Sequence, residues 1–209
     1  QRSEALGVHQ RAVELDPARA DSHCNLGYVL LDCRKTDEAA RSFRSALQLQ
    51  QQHVAAHLGL ATAQRIQGAI AEAETSCRVA LTLAPRKPDA LLLLGELHAD
   101  RGQFAQAQEL FTQALAADSK CAPVYSSIAS HKRMTRDDVT WLRGVEALLQ
   151  ERQPLDYEIN LRYALGKYCD DVGEYDQAFA NHRTANELRK RYGRSYDPSH
   201  LTAQIARII

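Results

Sequence analysis

The sequence predicts an all-α fold, a right-handed superhelical solenoid of about five and a half antiparallel helix pairs. Two observations support this prediction. Small residues recur at a fixed spacing of 34 residues. Ala and Leu are abundant, whereas aromatic residues make up only 6% of the chain, a composition that favours closely packed helices. One helix pair cannot bury its apolar face alone, so consecutive pairs are expected to stack and form a concave groove.

The repeat is clearest in its small residues and leucines. The positions that share the 34-residue spacing are Ala5, Ala39, Ala73 and Ala107, then Leu26, Leu60 and Leu94, and then Gly68 and Gly102. Gly166 follows Gly95 by 71 residues, which is two periods plus three residues. We therefore expect a three-residue insertion near residues 151–155, after which the same repeat continues.

These residues carry a family resemblance. The motif large-x-x-Leu-Gly/Ala, followed by Ala-x-x-x-aromatic-x-x-Ala, resembles the tetratricopeptide repeat, which has the same period. Its clearest instances are His23/Leu26/Gly27 with Ala39/Phe43/Ala46, and Leu91/Leu94/Gly95 with Ala107/Phe111/Ala114. Cys77 and His182 stand where the motif has an aromatic residue. The resemblance implies a helix A and a helix B in every repeat and a ligand groove lined mainly by helices A.

The repeat also predicts where each element lies. We expect a lone helix B over residues 3–15 and complete pairs over 20–50, 54–84 and 88–117. A divergent pair containing Trp141 is expected over 122–151, and a sixth unit over 156–191. The solenoid would thus span residues 1–191. Residues 192–209 would form a linker and the start of a C-terminal helix, near Asp197, that leads to a downstream domain.

Turn residues support these boundaries. Gly68, Gly102 and Gly173 are expected to end helices A in the left-handed conformation. Pro17 and Pro85 are expected to stop helices B, because proline cannot continue a helix. Thr36 is expected to cap the following helix, with acidic residues in the first turn.

Charge and composition narrow the function classes. The formal net charge is zero, which removes the electrostatic footprint of a nucleic-acid or anionic-membrane binder. No apolar run is long enough to span a membrane, and the N-terminal residues do not resemble a signal peptide. The five Cys include no C-x-x-C pair, which favours reduced thiols. We expect a cytoplasmic protein that contacts neither nucleic acid nor membrane.

Motifs for catalysis or cofactor binding are missing from the sequence. It contains no G-x-G-x-x-G, G-x-x-x-x-G-K-[ST] or G-x-S-x-G. His53 and His57 have the i, i+4 spacing of two zinc ligands, but we expect them to serve packing. We therefore expect no catalytic residue, no cofactor and no metal in this chain.

Two acidic pairs also have structural interpretations. Asp170 and Asp171 are adjacent, so on a helix their side chains point about 100° apart and cannot converge on one ion. A solvated helix end is expected there. Asp137 and Asp138 are expected in the first turn of a helix, where the helix dipole favours acids.

The predicted groove supplies the candidate partner contacts. Polar or aromatic side chains on groove-facing positions of helices A are Tyr28, Arg65, Glu96, Tyr163 and Lys167. We expect them to contact a protein or peptide partner; a merely solvated surface is the alternative. Members of the family that bind chaperone tails carry a Lys/Asn clamp for a carboxylate, whereas the matching positions here are Cys24 and Tyr28.

The last third carries a narrower resemblance. Residues 131–149, 161–190 and 196–208 resemble the stretch that joins the repeats to the catalytic domain in bacterial tetratricopeptide-sulfotransferases. That resemblance implies a non-catalytic module in front of a domain that uses 3′-phosphoadenosine 5′-phosphosulfate. No position in this chain matches the phosphosulfate-binding loop of that family. The alternative is a stand-alone scaffold that binds an extended peptide or a helix.

The two ends of the repeat array predict weak self-association. Ala5 is in the phase of a helix B, so the first repeat lacks its helix A and leaves an apolar face uncovered. At the other end, Leu201, Ile205 and Ile208 form one apolar stripe at helical spacing. Open faces of this kind are expected to promote weak association between copies.

Overall fold

Eleven α-helices and no strand make up residues 2–192, the part of the chain that the computed structural model describes. In chain order they are α1 (Arg2–Leu15), α2 (Ala20–Asp32), α3 (Thr36–Leu49), α4 (Val54–Ile66), α5 (Ile70–Leu83), α6 (Pro88–Asp100), α7 (Phe104–Ala117), α8 (Ala122–His131), α9 (Val139–Gln150), α10 (Leu155–Val172) and α11 (Tyr175–Tyr192). The lone first helix and the five following pairs agree with the predicted elements. The expected insertion falls in the 151–154 connection and the start of α10.

The helices divide into two compact units, residues 1–124 and the residues from 125 on. We call them unit 1 and unit 2. Unit 1 contains the regular repeats, and unit 2 contains α9, α10, α11 and most of α8. The helix expected near Asp197 lies outside the described residues, so the linker and C-terminal helix over 192–209 stay a prediction, apart from Tyr192, which ends α11.

Two aromatic rings of unit 1 pack directly on glycines. Phe43 of α3 is fully buried between Gly27 of α2 and Gly59 of α4. A Cβ added at Gly27 would lie 2.6 Å from the Phe43 ring, and one at Gly59 only 2.2 Å from it. Phe111 of α7 packs in the same way on Gly95 of α6, where an added Cβ would lie 2.5 Å from the ring. The rings thus fill the space that the small residues leave open.

In unit 2, His182 of α11 takes the place of this aromatic ring. Its ring packs on Gly166 of α10, where an added Cβ would lie 2.7 Å away. The side chain of His182 is 35% exposed, and its Nε2 lies 3.2 Å from Oδ2 of Asp170. A polar imidazole ring therefore replaces the buried Phe at a position that is partly exposed to solvent.

Trp141 explains why α8 and α9 diverge from the other pairs. Ala39, Ala73 and Ala107 occupy this place in the regular repeats and are fully buried. The Trp141 indole is also buried, stacks on Tyr168 with the ring centroids 5.6 Å apart, and donates from Nε1 to the Tyr125 carbonyl oxygen at 3.1 Å. The larger side chain makes its own aromatic core in unit 2.

Positive backbone angles end four of the helices A. Gly68, Gly102 and Gly173 have φ of 77°, 74° and 86°, as predicted. Arg34 occupies the equivalent turn after α2 with φ 60°. The Lys35 N–H donates to the Leu30 carbonyl oxygen at 2.9 Å, the six-residue bond of a Schellman motif.

This turn also decides how α3 begins. Thr36 does not cap the helix as predicted: it is the first helical residue, and Lys35 is the N-cap without a side-chain hydrogen bond. Lys35 is held by the preceding Schellman turn, and a lysine side chain has no acceptor with which to cap the helix. The expected acidic first turn is present in Asp37 and Glu38. The expected stops are present too, since α1 ends before Pro17 and α5 before Pro85.

Candidate functional site

A groove of about 410 Å³ lies on the first helices of three consecutive pairs of unit 1, α2, α4 and α6. It is lined by Tyr28, Ala55, Leu58, Thr62, Arg65, Lys87, Asp89, Leu92, Leu93 and Glu96. We call it the unit 1 groove. Three of the five predicted contact residues, Tyr28, Arg65 and Glu96, line it together. Its volume lies within the range of pockets that hold small ligands.

Aliphatic side chains form part of the groove lining. Leu58 and Leu93 are nearly buried, with 6% and 8% of their surface exposed, and Leu92 is half-buried. They lie on α4 and α6, the helices A of two consecutive repeats, which are in contact with each other. An apolar ligand group placed against them would leave water.

Arg65 is fixed across the groove by two carboxylates of α6. Its Nη1 donates to Glu96 Oε2 at 2.7 Å, and its Nε donates to Asp100 Oδ2 at 2.6 Å. The hydrogen bond to Asp100 raises the pKa of Arg65 further, against the opposing effect of burial. The guanidinium is therefore a structural link between consecutive repeats. Asp100 was missed in the sequence, although its place four residues after Glu96 on the same helix face could have indicated it.

Tyr28 presents a neutral aromatic surface to the groove. Its hydroxyl donates to the Ala55 carbonyl oxygen at 2.8 Å, and its ring lies edge-on to Phe43 with the centroids 5.1 Å apart. The residue is 39% exposed. Burial raises the pKa of Tyr28 to about 12, with further contributions from Cys24 and the Asp89 carboxylate. The hydroxyl therefore stays protonated over the physiological range, and its proton is already used.

An exposed ion pair stands at the edge of the groove. Lys87 is the N-cap of α6, Pro88 follows it, and Asp89 lies in the first turn. Nζ of Lys87 is 3.4 Å from Oδ2 of Asp89, and the two side chains are 38% and 65% exposed. Such a pair contributes little to stability and can exchange partners with a ligand. Lys87 was not among the predicted contacts.

Tyr163, the fourth predicted contact, lies in unit 2 and does not line the unit 1 groove. Its hydroxyl donates to Asn186 Oδ1 at 2.6 Å, and its ring centroid is 6.0 Å from that of His182. These bonds join α10 to α11. A partner contact by Tyr163 stays a prediction, and the hydroxyl proton is already engaged within the chain.

Lys167, the fifth predicted contact, holds the segment between α8 and α9. Its Nζ donates to the Lys132 carbonyl oxygen at 3.1 Å and forms an ion pair with Asp171. Asp171 also accepts a hydrogen bond from the backbone N–H of Met134 at 2.9 Å. Both side chains thus fasten the 132–138 segment to α10, and contact of Lys167 with a partner stays a prediction.

The expected solvated helix end at Asp170 and Asp171 is wrong for Asp171. Burial opposes the charge of Asp171, but hydrogen bonds from Lys167 and from the Met134 N–H outweigh it and hold the pKa of Asp171 below its usual value. Asp170 is exposed and faces His182. The sequence could not show this difference, because one of the two partners of Asp171, the Met134 N–H, lies 37 residues earlier.

The prediction that Asp137 and Asp138 lie in the first turn of a helix is wrong, because α9 begins at Val139 and Asp138 is its N-cap residue. Its carboxylate accepts from the Thr135 N–H at 2.8 Å and from the Thr135 hydroxyl at 3.2 Å, and it pairs with Lys132. Burial opposes the charge, yet the bonds from Lys132 and Thr135 lower the pKa of Asp138. The carboxylate therefore closes the turn before the helix.

The two histidines at zinc-ligand spacing have separate roles. His53 precedes α4 as its N-cap: Nδ1 accepts from the Ala56 N–H at 3.2 Å, and Nε2 lies 3.1 Å from Asp21 Oδ1. Nε2 of His57 lies 2.9 Å from the Gln51 carbonyl oxygen. Within residues 2–192 no three His, Cys, Asp or Glu side chains cluster as metal ligands would. No helix in the same range is long and apolar enough to cross a membrane.

The cysteines are packing residues. Cys24, Cys77 and Cys169 are buried, whereas Cys33 and Cys121 are half-buried. Burial raises the pKa of Cys24 to about 11, with a smaller contribution from Asp21, and that of Cys77 to about 12. Both therefore remain thiols at neutral pH, the form that is a poor nucleophile.

Two models of tetratricopeptide repeats match the sequence. Residues 24–90 match one tetratricopeptide repeat model, and residues 64–130 match a second. Together the matches span residues 24–130, about half of the chain, so the chain is a tetratricopeptide-repeat protein. Among curated proteins, none matches the sequence.

Solved structures of low sequence identity share the fold. A chain of the Cut9–Hcn1 hetero-tetramer of the APC/C is similar with a TM-score of 0.75 and 20% identity, over 90% of this chain and 37% of that one. This chain thus spans little more than a third of that protein. PilF of Pseudomonas aeruginosa is similar with a TM-score of 0.63 and 19% identity, over 98% and 90% of the two chains.

A third similar structure is that of YrrB, a TPR protein with an unusual peptide-binding site. Its TM-score is 0.53 at 18% identity, over 89% of this chain and all of YrrB. At these identities the similarities concern the fold alone. They confirm the predicted all-α tetratricopeptide fold.

Proposed function

We propose that this chain is a non-catalytic interaction module that binds an extended peptide segment of a partner protein in the unit 1 groove. The observation that supports the proposal is the juxtaposition of Leu58 and Leu92 with Tyr28 and Arg65 on three consecutive helices A. An apolar surface beside fixed polar groups gives both affinity and orientation to a peptide. YrrB, which has the same fold, has a peptide-binding site.

Selection of peptides on the groove tests this proposal. A phage library of random 12-residue peptides is selected on the chain, and each enriched peptide is tested again on the Leu92→Glu variant. Leu92 is half-buried in the groove, so a charge there should abolish binding of groove ligands. Gln106→Glu, on the exposed face of α7, is the matched control and should bind as the original chain does.

Circular dichroism first establishes that both variants keep their helices. Enriched peptides that bind the Gln106→Glu variant but not the Leu92→Glu variant support the module. Peptides that bind all three proteins equally would place the interaction elsewhere and contradict the proposal.

We also propose that the natural protein joins this module to a sulfotransferase domain and that the module presents the acceptor of the sulfuryl group. Support comes from the sequence resemblance of residues 131–149, 161–190 and 196–208. The alternative is a stand-alone scaffold. Expression of the complete natural reading frame, followed by a transfer assay with labelled 3′-phosphoadenosine 5′-phosphosulfate, separates the two. The 209-residue chain alone should transfer nothing.

We also propose that the protein is located in the cytoplasm. The buried thiols of Cys24 and Cys77 support it, because reduced cysteines are typical of that compartment. Fractionation of cells that express the natural protein, with detection in the membrane or secreted fraction, would contradict it.

A further inference from the structure

The charged groups around the unit 1 groove are unbalanced. Arg65 and Lys87 are its cations, and Asp89 and Glu96 are its lining carboxylates. Asp100 binds Arg65 directly and adds a third carboxylate. Three carboxylates and two cations leave an excess negative charge next to the aliphatic lining.

Arg65 is not available to receive an acidic ligand group. The Arg65 guanidinium is engaged by two carboxylates through Nε, Nη1 and Nη2, which hold it between α4 and α6. A peptide carboxylate entering the groove would therefore meet two carboxylates around Arg65 and would have to displace one of them.

A ligand cation meets the opposite situation. The Asp89 side chain is 65% exposed, and its only competitor in the pair, Lys87, is itself 38% exposed, so exchange for a ligand cation loses little. Asp89 acts on Tyr28 as well, because its charge contributes to the raised pKa of that hydroxyl after burial and Cys24. A ligand cation there would gain the Asp89 carboxylate, and it would lie in the same groove as the 39% exposed Tyr28.

The aliphatic residues define the neighbouring position of the ligand. Leu58, Leu92 and Leu93 line the same groove as Tyr28 and Asp89. We therefore infer that the unit 1 groove selects an extended peptide in which a basic side chain stands next to an aliphatic one. The basic group lies between Asp89 and Tyr28, and the aliphatic group packs on Leu58, Leu92 and Leu93. This inference rests on the proposed function and names the chemical class of its ligand.

The peptides from the selection described above test the inference. Those that depend on Leu92 should contain Arg or Lys within a residue or two of Leu, Ile, Val or Met. The strongest of them is synthesised together with a counterpart in which the basic residue is replaced by Glu. Fluorescence anisotropy should show binding of the Glu counterpart weaker by about tenfold or more.

Variants of the edge pair locate the effect. Asp89→Asn should reduce the difference between the two peptides to about threefold or less, since the carboxylate that distinguishes them is gone. Lys87→Gln removes the internal competitor and should tighten binding of the basic peptide. Asp137→Asn, an exposed acid in unit 2, is the control and should change neither peptide.

The outcomes separate the two proposals. Leu92-dependent peptides that are acidic or neutral, or an unchanged preference in Asp89→Asn, would overturn the inference and leave the module standing. A selection that yields no Leu92-dependent peptide would overturn both. A basic preference that Asp89→Asn removes and Lys87→Gln strengthens would support both.

Discussion

At the scale of single residues, several glycines pack directly against aromatic rings. Phe43 contacts Gly27 on one side and Gly59 on the other, and no other residue type leaves enough room for the ring. A methyl group at either glycine would overlap with ring atoms. The glycines of helices A are therefore required by packing, although glycine itself weakens a helix.

Gly59→Ala is expected to destabilise the protein. The added methyl would lie 2.2 Å from the Phe43 ring, and overpacking of this kind costs about 1–3 kcal/mol, more than the gain of about 1 kcal/mol in helix propensity. Gly7→Ala is the matched control, because nothing lies within 4 Å of a Cβ at Gly7 in α1. Urea unfolding should show a loss for the first variant and a gain for the second. A gain for both would contradict the packing described here.

Arg34→Gly is expected to stabilise the protein. Arg34 adopts a φ of 60°, a backbone conformation that is strained for a residue with a side chain. Gly68 and Gly102 occupy the equivalent turns of the other repeats. Release of the strain, less the extra entropy of glycine in the unfolded chain, should give a gain of about 0.5–1 kcal/mol. Gly102→Arg should lose stability by a similar route. Thermal unfolding of both variants measures the effect, and a lower midpoint for Arg34→Gly would be the contrary result.

At the scale of elements, the 132–138 segment shows how a connection is held without regular structure. Asp138 closes it from within by binding Thr135 and Lys132. Asp171 of α10 holds it from outside by accepting the Met134 N–H. Two carboxylates with lowered pKa values thus replace the tight glycine turn of the regular repeats.

The Asp138→Asn variant is expected to destabilise α9 at pH 6 by about 1–2 kcal/mol, since it weakens charge-assisted hydrogen bonds of a side chain only 14% exposed. The exposed neighbour Asp137→Asn should change stability little. Because the folded pKa of Asp138 is lowered, its contribution is present above about pH 4, the unfolded value, and is lost as the pH falls through the folded one. The difference between the variants should therefore shrink as the pH falls below about 4.

Trp141 provides the measurement for this prediction. It is the only tryptophan in the chain, lies in the first turn of α9 and is buried against Tyr168. Its fluorescence during urea unfolding at pH 6 and at pH 2 reports the stability of unit 2. Equal midpoints for the two variants at pH 6 would show that the Asp138 bonds do not matter.

At the scale of the whole molecule, two properties favour weak association of copies. Val8 and Leu15 lie seven residues apart on α1 and are 63% and 72% exposed. The formal net charge is zero and the isoelectric point is about 7.2, so repulsion between copies is least near neutral pH. Val8 and Leu15 are therefore the candidate surface for the weak self-association that the sequence predicts.

Sedimentation equilibrium at pH 7.2 should show an average mass that rises with protein concentration. The double variant Val8→Glu/Leu15→Glu should remain monomeric, because it removes the apolar surface and adds charge. Ile66→Glu, at an exposed site on α4, is the control for the added charge and should associate more than the double variant. A strictly monomeric original chain would contradict the prediction.

The elements of this protein could be predicted from the sequence because they depend on local spacing. The 34-residue recurrence of Gly and Ala determines which residues approach each other, and Gly102 or Pro85 marks an end through its own backbone preference. The groove-facing positions followed from the resemblance to the tetratricopeptide repeat, which is why Tyr28, Arg65 and Glu96 were found together.

Only the tertiary structure decided which polar groups meet. Arg65 binds Asp100, Lys167 turns to the 132–138 segment, and Asp171 is drawn out of solvent by the Met134 N–H. Each of these bonds joins residues more than thirty positions apart, and each competes with water and with other partners of equal charge. The outcome depends on burial and on side-chain direction after the helices have packed, and neither is set by residue spacing.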